Sequence, residues 1–227
     1  MPMSNAPSAA QLVFLMKAAL LILLAWTPAV WIYMYVAHLS GEAGGFALRN
    51  NWLLSQFLHE DMKRALWLLI AGLCLTVGWP VGPLARLARS QRLQLVVSTL
   101  VAALTVSMLK QYSATSCSWD LSDFGGVAHY VSHWTRLADG GSGNCFPAGH
   151  AASGFAFVGG YFVFKETAPS VAGNGLGGAA IAGLVLGLAQ QMRGAHFMSH
   201  TLWTAWICWV ISFAIDAVWR LSVRLQT

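Results

Sequence analysis

The sequence predicts an all-α, polytopic membrane protein: six transmembrane helices joined by short interfacial helices. Three observations carry this. The chain is 57% hydrophobic and only 9% charged, against about 25% charged in soluble domains. It holds eleven Trp and has a positive mean hydropathy. A hydrocarbon core of ~30 Å needs about 20 apolar residues per helix, and the chain supplies roughly six such runs. These fit one membrane-embedded domain over residues 1–227. The net charge of +5 fits arginines in cytoplasmic loops and excludes no membrane role; it is not read as nucleic-acid binding.

The first expected span is Leu12 to Val36. Its apolar run exceeds the 7–15 residues of a signal-peptide core and no cleavage site follows, so it is read as retained. Lys17 near its start can snorkel to the interface. Residues 38–63 are polar enough to leave the membrane. Trp52, Leu53 and Phe57 share one helical face, with Asn50, Asn51, Gln56 and Glu60 opposite; that pattern predicts an interfacial helix.

The second span is predicted over about Ala65 to Leu84, ended by Pro80 and Pro83. Arg86, Arg89 and Arg92 follow in a short loop, the strongest topogenic signal in the chain, and place that loop in the cytoplasm. The third span, about Leu93 to Leu109, then runs outward and ends at Lys110. Arg49, Lys63 and Arg64 sit on an outer loop by this count, against the rule.

Residues 110–147 are the longest non-apolar segment. Val127, Tyr130, Val131, Trp134 and Leu137 recur at helical spacing, with His129, His133 and Arg136 opposite. This reads as a second interfacial helix, or as a cationic rim facing an anionic headgroup. The fourth span is predicted over about Ala151 to Phe164, followed by Lys165, Glu166 and a Gly-, Ala- and Ser-rich loop to about Gly178. The fifth, about Ala179 to Met192, ends at Arg193. The sixth, about Thr201 to Val218, ends with Arg220 and Arg224 inside. Lys110, His150, Arg193, His196 and His200 all fall on the outer side.

Cys74 and Cys208 lie within spans, as small apolar residues. Cys117 and Cys145 share the outer loop, where an oxidising compartment permits a bridge. A zinc site lacks the close Cys/His pairing it needs.

The segment Gly143-Asn144-Cys145-Phe146-Pro147-Ala148-Gly149-His150 is polar and leads directly into an apolar run. That places an imidazole and backbone N–H groups at a helix N-terminus, where partial positive charge attracts phosphate. Gly149 permits close backbone approach. Lys110 ends a span, the usual place of a snorkelling lysine. His196 and His200 are spaced i, i+4 and would share a face on a helix, suiting either a metal pair or a base with its orienting partner. Arg193, one turn earlier, carries a guanidinium suited to phosphate oxygens.

Lys110, the run Phe146-Pro147-Ala148-Gly149-His150, and the run Arg193-Gly194-Ala195-His196-Phe197-Met198-Ser199-His200 resemble, in order and spacing, the three motifs of the type 2 phosphatidic acid phosphatase superfamily. That superfamily shares a helical fold with the vanadium haloperoxidases. The resemblance covers residues 110–200. It implies that His196 attacks phosphorus to form a phosphohistidine and His150 protonates the leaving lipid alkoxide. Lys110 and the Gly149 backbone N–H would bind the phosphate, with Arg193 as a further cation and His200 as the orienter of His196. No metal and no cofactor are implied.

The chain departs from the family pattern at four places. Cys117-Ser118 stands for Arg-Pro, Ala148 for a serine, Gln190 for an arginine and His200 for an aspartate. Losing phosphate donors costs on the order of several kcal/mol, unless Arg193, Arg136 or another cation substitutes. The reading expected from the resemblance is a lipid phosphate phosphatase of a bacterial inner membrane with its site facing outward. Its substrate would be polyprenyl diphosphate, phosphatidic acid, phosphatidylglycerol phosphate or a lipid A phosphate. A lipid-to-lipid phosphotransferase and a non-catalytic anionic-lipid binder are the alternatives.

Overall fold

The computed structural model describes residues 8, 12–13, 15–17, 19–20, 30–132 and 138–225. Most of the expected first span and the Trp134–Leu137 part of the expected second interfacial helix lie outside the described residues. The described chain is mostly helical. After α1 (Val30–His38) comes a two-stranded hairpin, β1 (Gly41–Glu42) and β2 (Gly45–Phe46). A π-helical segment, Leu53–Asp61, runs without a break into α2 (Met62–Leu75). There follow α3 (Arg89–Gln111), α4 (Ala152–Phe164), α5 (Pro169–Met192) and α6 (Met198–Arg224). The middle of α4 tightens to a 3₁₀ turn over Ala156–Val158.

Among the described residues, three helices are long and apolar enough to cross a membrane: Arg89–Gln111, Pro169–Met192 and Met198–Val223. The others expected to span are shorter: α2 has 14 residues, and α4 falls in a class of 10–17 residues. The outward faces carry Leu68, Leu69, Leu104, Ile181 and Val218, all exposed. Exposed Trp79 follows the end of α2, and exposed Tyr112 follows the end of α3. An apolar exterior with aromatic residues at its ends is compatible with a lipid environment.

Small residues set the packing. Helix α4 crosses α5 where Gly154 meets Gly183: a β-carbon on Gly154 would come 2.2 Å from the Gly183 nitrogen. The Phe155 ring occupies the space a side chain at Gly183 would need. Gly187 lets α5 close on Thr201 of α6, where a β-carbon on the glycine would lie 2.3 Å from the threonine Cγ2. Such approaches are how helices associate without a hydrophobic drive between them. Around them, Ala102, Val106, Ala148, Ala151, Ala156 and Cys208 form a fully buried core.

Several sequence expectations change. The Gly-rich stretch before Gly178 is the first part of α5, not a loop; Pro169 opens that helix at a position where its missing N–H costs nothing. Arg89 and Arg92 belong to the first turn of α3, and buried Arg92 donates to the carbonyls of Leu87 and Val77. Residues 127–132 are not helical. Ala128 instead bridges to Leu121 and exchanges backbone bonds with Asp120 and Ser122. A helix is present over 52–57, where an interfacial one is expected; from Leu53 it is wound as the π-helical segment, and Trp52, Leu53 and Phe57 are exposed.

The two ends of the bundle differ. At one, Asp216 accepts from Gln94 (2.9 Å), Lys165 (3.2 Å) and Arg220 (2.9 Å), and Arg220 also meets Glu166 (2.6 Å). These charges are paired. The other end gathers Lys110, His150 and His196.

Candidate active site

Lys110 lies in the last turn of α3. The Asn144 amide, with its nitrogen assigned toward them, donates to the carbonyls of Gln111 (2.8 Å) and Lys110 (3.2 Å), satisfying groups a helix end leaves open. Asn144 sits at φ 59°, a left-handed conformation that Asn tolerates. The loop from 112 to 147 is pinned to this helix end in three further ways. Asn144 and Cys145 donate to the carbonyls of Ser113 (2.8 Å) and Thr115 (2.9 Å). Cys117 and Cys145 are joined in a disulfide with Cα atoms 5.1 Å apart. Buried Asp139 accepts from the Ser116 N–H (2.6 Å), the Ser116 hydroxyl (2.7 Å) and the Gly141 N–H (3.0 Å). Burial alone would raise the Asp139 carboxyl, but these donors hold it below its ordinary value.

The loop delivers Gly149 and His150 to the turn before α4. Ala148 is anchored beneath: its N–H donates to the His200 carbonyl (3.3 Å) and its carbonyl accepts from Thr204 (3.1 Å). With the backbone so placed, Lys110 lies alongside Gly149, and both line a cavity of about 380 Å³ with His150 and Lys63. Three basic side chains meet there, and no carboxylate is among the described lining residues.

His196 arrives by a different route from the one its spacing predicts. Helix α5 ends in a Schellman motif: Gly194 (φ 79°) donates to the Gln191 carbonyl (2.8 Å) and Ala195 to the Gln190 carbonyl (2.9 Å). Gly194 is doubly required, because a β-carbon there would strike the Phe46 ring at 2.3 Å. The Trp119 N–H holds its carbonyl (2.8 Å). Phe197 is extended, and α6 starts at Met198. His196 therefore precedes the helix on which His200 sits, and the two share no helical face. Their rings lie 5.7 Å apart at 62°, and Nδ1 of His196 is buried without a hydrogen-bond partner. The expected bond between the two rings is not made through that atom.

Burial pushes His196 well below its ordinary pKa, helped by the nearby His200, Lys110 and His150; a hydrogen bond with the Cys145 backbone works the other way. It is a neutral imidazole. His150 is pushed down to about 2, first by burial, then by His59, Lys110, Lys63 and Arg193.

The structure thus brings Lys110, Gly149 and His150 to one cavity. His196 and His200 are buried next to it but do not line it. Arg193 does not line it either. Its guanidinium donates to the Arg49 carbonyl (2.9 Å) and to Gln190 Oε1 (3.0 Å) and faces the Trp119 ring at 5.9 Å. Its charge still reaches His150. Sequence reasoning missed His59 and Lys63. Lys63 lines the cavity, and the His59 ring stacks on that of His150, with centroids 3.6 Å apart. The available signal was His59 and Lys63 at i, i+4 heading an apolar run on the outer side. Among the described residues, no group of three His, Cys, Asp or Glu side chains is placed to hold a metal ion.

A family model described as PAP2 superfamily matches residues 91–224, which takes in α3 to α6 and every cavity residue on them. No curated protein and no solved structure matches the chain. With more than half its length matched, and with Lys110, His150 and His196 gathered at one end of the matched helices, the chain belongs to the PAP2 superfamily.

Proposed function

We propose that this chain is a lipid phosphate phosphatase. It would hydrolyse a phosphomonoester or pyrophosphate of a membrane lipid through a phosphohistidine. The observation that carries the reading is the cavity where the ammonium groups of Lys63 and Lys110 converge beside His150, with no carboxylate among its described lining residues. An uncompensated cationic pocket is built for an anion, and phosphoryl transfer needs positioning and charge neutralisation above all. Family membership supports phosphatase chemistry in general.

In this mechanism Lys110 and the Gly149 N–H hold the phosphate. His196, neutral and hence nucleophilic, forms the N–P bond as the P–O bond to the lipid breaks. His150 gives its proton to the leaving alkoxide and then takes one from the water that cleaves the phosphohistidine. His150 is neutral in the empty cavity, so the incoming phosphate's negative charge must raise its proton affinity; the substrate arms its own acid. His196 must come forward from behind the cavity wall, as catalytic contacts commonly tighten only on binding.

The membrane arrangement in this reading has six spans. Those at α2 and α4 are short, and the cavity opens on the outer face of a bacterial inner membrane. The bilayer supplies the substrate: polyprenyl diphosphate, phosphatidic acid, phosphatidylglycerol phosphate or a lipid A phosphate. A second, non-catalytic reading as an anionic-lipid binder has one observation in its favour, the burial of His196 off the cavity.

Purified protein incubated with that lipid panel separates the readings. Release of inorganic phosphate, persisting in excess chelator and lost by several orders of magnitude in His196→Ala, is expected. A newly phosphorylated lipid without free phosphate would mean a lipid-to-lipid phosphotransferase. Neither product, with retained lipid binding, would mean the non-catalytic binder.

A further inference from the structure

The cavity has a wall that lies outside the matched residues 91–224. It is Lys63, Leu66 and Trp67 at the start of α2, and the π-helical segment Leu53–Asp61 leads directly into it. Helices wound with i→i+5 bonds are rare, usually a single turn long, and often placed at functional sites. Here nine residues adopt that form, and the segment ends where His59 meets His150. The two rings stack with centroids 3.6 Å apart and planes 27° from parallel. Nδ1 of His59 lies 3.0 Å from Glu60 Oε1. With Nδ1–H donated to the carboxylate, the other nitrogen of neutral His59 is left as an acceptor, so Glu60 sets both the tautomer and the ring's orientation.

We propose that His59 is a positioning residue for His150: stacked on one face of that ring and tied down by Glu60, it fixes how His150 meets the cavity and competes with it for a proton. Stacked faces share no hydrogen bond, so the coupling acts through ring contact and charge. Two imidazolium rings at this separation repel, and such a pair takes up its protons in coupled steps. The charged groups facing His59 are Glu60, Lys63, Lys110, Arg193 and His150 itself. Burial and the nearby cations oppose a proton on His59 and Glu60 favours it, whereas the burial and the cations that oppose one on His150 have no carboxylate set against them. A proton taken up before substrate binds therefore goes to His59. Bound phosphate shifts the preference to His150, and His59 decides how readily.

The catalytic part of this inference rests on His150 as the acid of the proposed reaction; the stacking and proton competition do not. The test uses full-length protein in detergent, as the parent, His59→Phe and His59→Ala, with folding checked by thermal unfolding. His59→Phe keeps a stacked ring but has no proton to compete for. Histidine ring signals are followed by NMR titration with and without inorganic phosphate, beside the pH profile of phosphate release. In His59→Phe, His150 should take up its proton at higher pH than in the parent by half a unit or more. The alkaline limb of kcat should move up with it. His59→Ala should lower kcat about tenfold with KM little changed, and His59→Phe should retain more of the rate. An unmoved His150 titration in His59→Phe overturns the inference, even if the protein proves inactive on lipids. A moved titration in an inactive protein keeps the coupling and removes only the phosphatase reading.

Discussion

Lys110 runs past Gly149 so closely that a β-carbon on Gly149 would sit 3.3 Å from Lys110 Cδ and 3.8 Å from its Nζ. The glycine keeps the lysine beside His150. Gly149→Ala is therefore expected to fold normally, because a flexible side chain can yield a few tenths of an ångström. Displacing the ammonium from the phosphate should lower kcat/KM for a lipid phosphate about tenfold, since small misplacements at a reacting centre carry large rate costs. Lys110→Ala should cost more. Parent-like kinetics in Gly149→Ala would mean that Lys110 does not touch substrate.

The Cys117–Cys145 bridge ties the chain just after Lys110 to the chain just before His150, across a sequence separation of 28. In the chain-entropy account a loop of this size contributes about 3–4 kcal/mol. Cys117→Ser should lower the unfolding temperature and reduce activity, because both cavity residues lose a shared anchor. Labelling the denatured, unreduced protein should find two thiols, Cys74 and Cys208. Four reactive thiols in protein from an oxidising compartment would refute the bridge.

Residue chemistry is easier to read from this sequence than chain path. Lys110, Gly149 and His150 reach one cavity, because each sits at the end of an apolar run and the helices that carry those runs pack against one another. The spacing of His196 and His200 implies one helical face, and the structure departs from it for a local reason: Gly194 closes α5 in a Schellman motif that expels His196 before α6 begins. The helix over residues 169–178 is hidden in the sequence because glycine reads as a loop former; Gly173, Gly175, Gly177 and Gly178 meet no neighbour there, and they are helical as the first turns of a helix whose close packing begins only at Gly183 and Gly187. His59 is illegible for a further reason. Its contact with His150 depends on a π-helical winding that no periodicity rule anticipates.

Asp139 is the second anchor of the same loop, and its charge makes that anchor pH-dependent. Its three donors hold its pKa below the ordinary value. A depressed carboxylate contributes stability above its unfolded pKa of about 3.9, lost as pH falls through the folded value. Asp139→Asn should be less stable than the parent at pH 7 by about 1.5–3 kcal/mol, the range for a hydrogen bond to a charged group. The gap should narrow in acid as the parent's carboxyl protonates. Thermal unfolding of both proteins across pH measures it, and a gap independent of pH would place the effect in shape alone.

His200 gives the sharpest test of the site. It is buried in the first turn of α6, where the helix dipole favours a negative charge and opposes a protonated imidazole. Beside it, Nδ1 of His196 is buried and without a partner. In the proposed reaction His196 becomes positively charged when phosphorylated, so a carboxylate at position 200 would answer both conditions. It could accept a proton at Nδ1, which frees Nε2 from its hydrogen bond with the Cys145 backbone to attack, and oppose the new charge. Replacing the orienting carboxylate of a serine-protease triad by an amide costs about 10⁴ in rate, mainly through the wrong tautomer. His200→Asp is therefore expected to keep or raise the rate. A carboxylate beside His196 also favours its protonated form, so the acid limb of activity should move to higher pH. His200→Ala should lower the rate. The check is the pH profile of phosphate release for the three proteins, with folding verified by thermal unfolding. A folded but inactive His200→Asp beside a fully active His200→Ala would show that position 200 does not act on His196, and the nucleophile would have to be sought elsewhere.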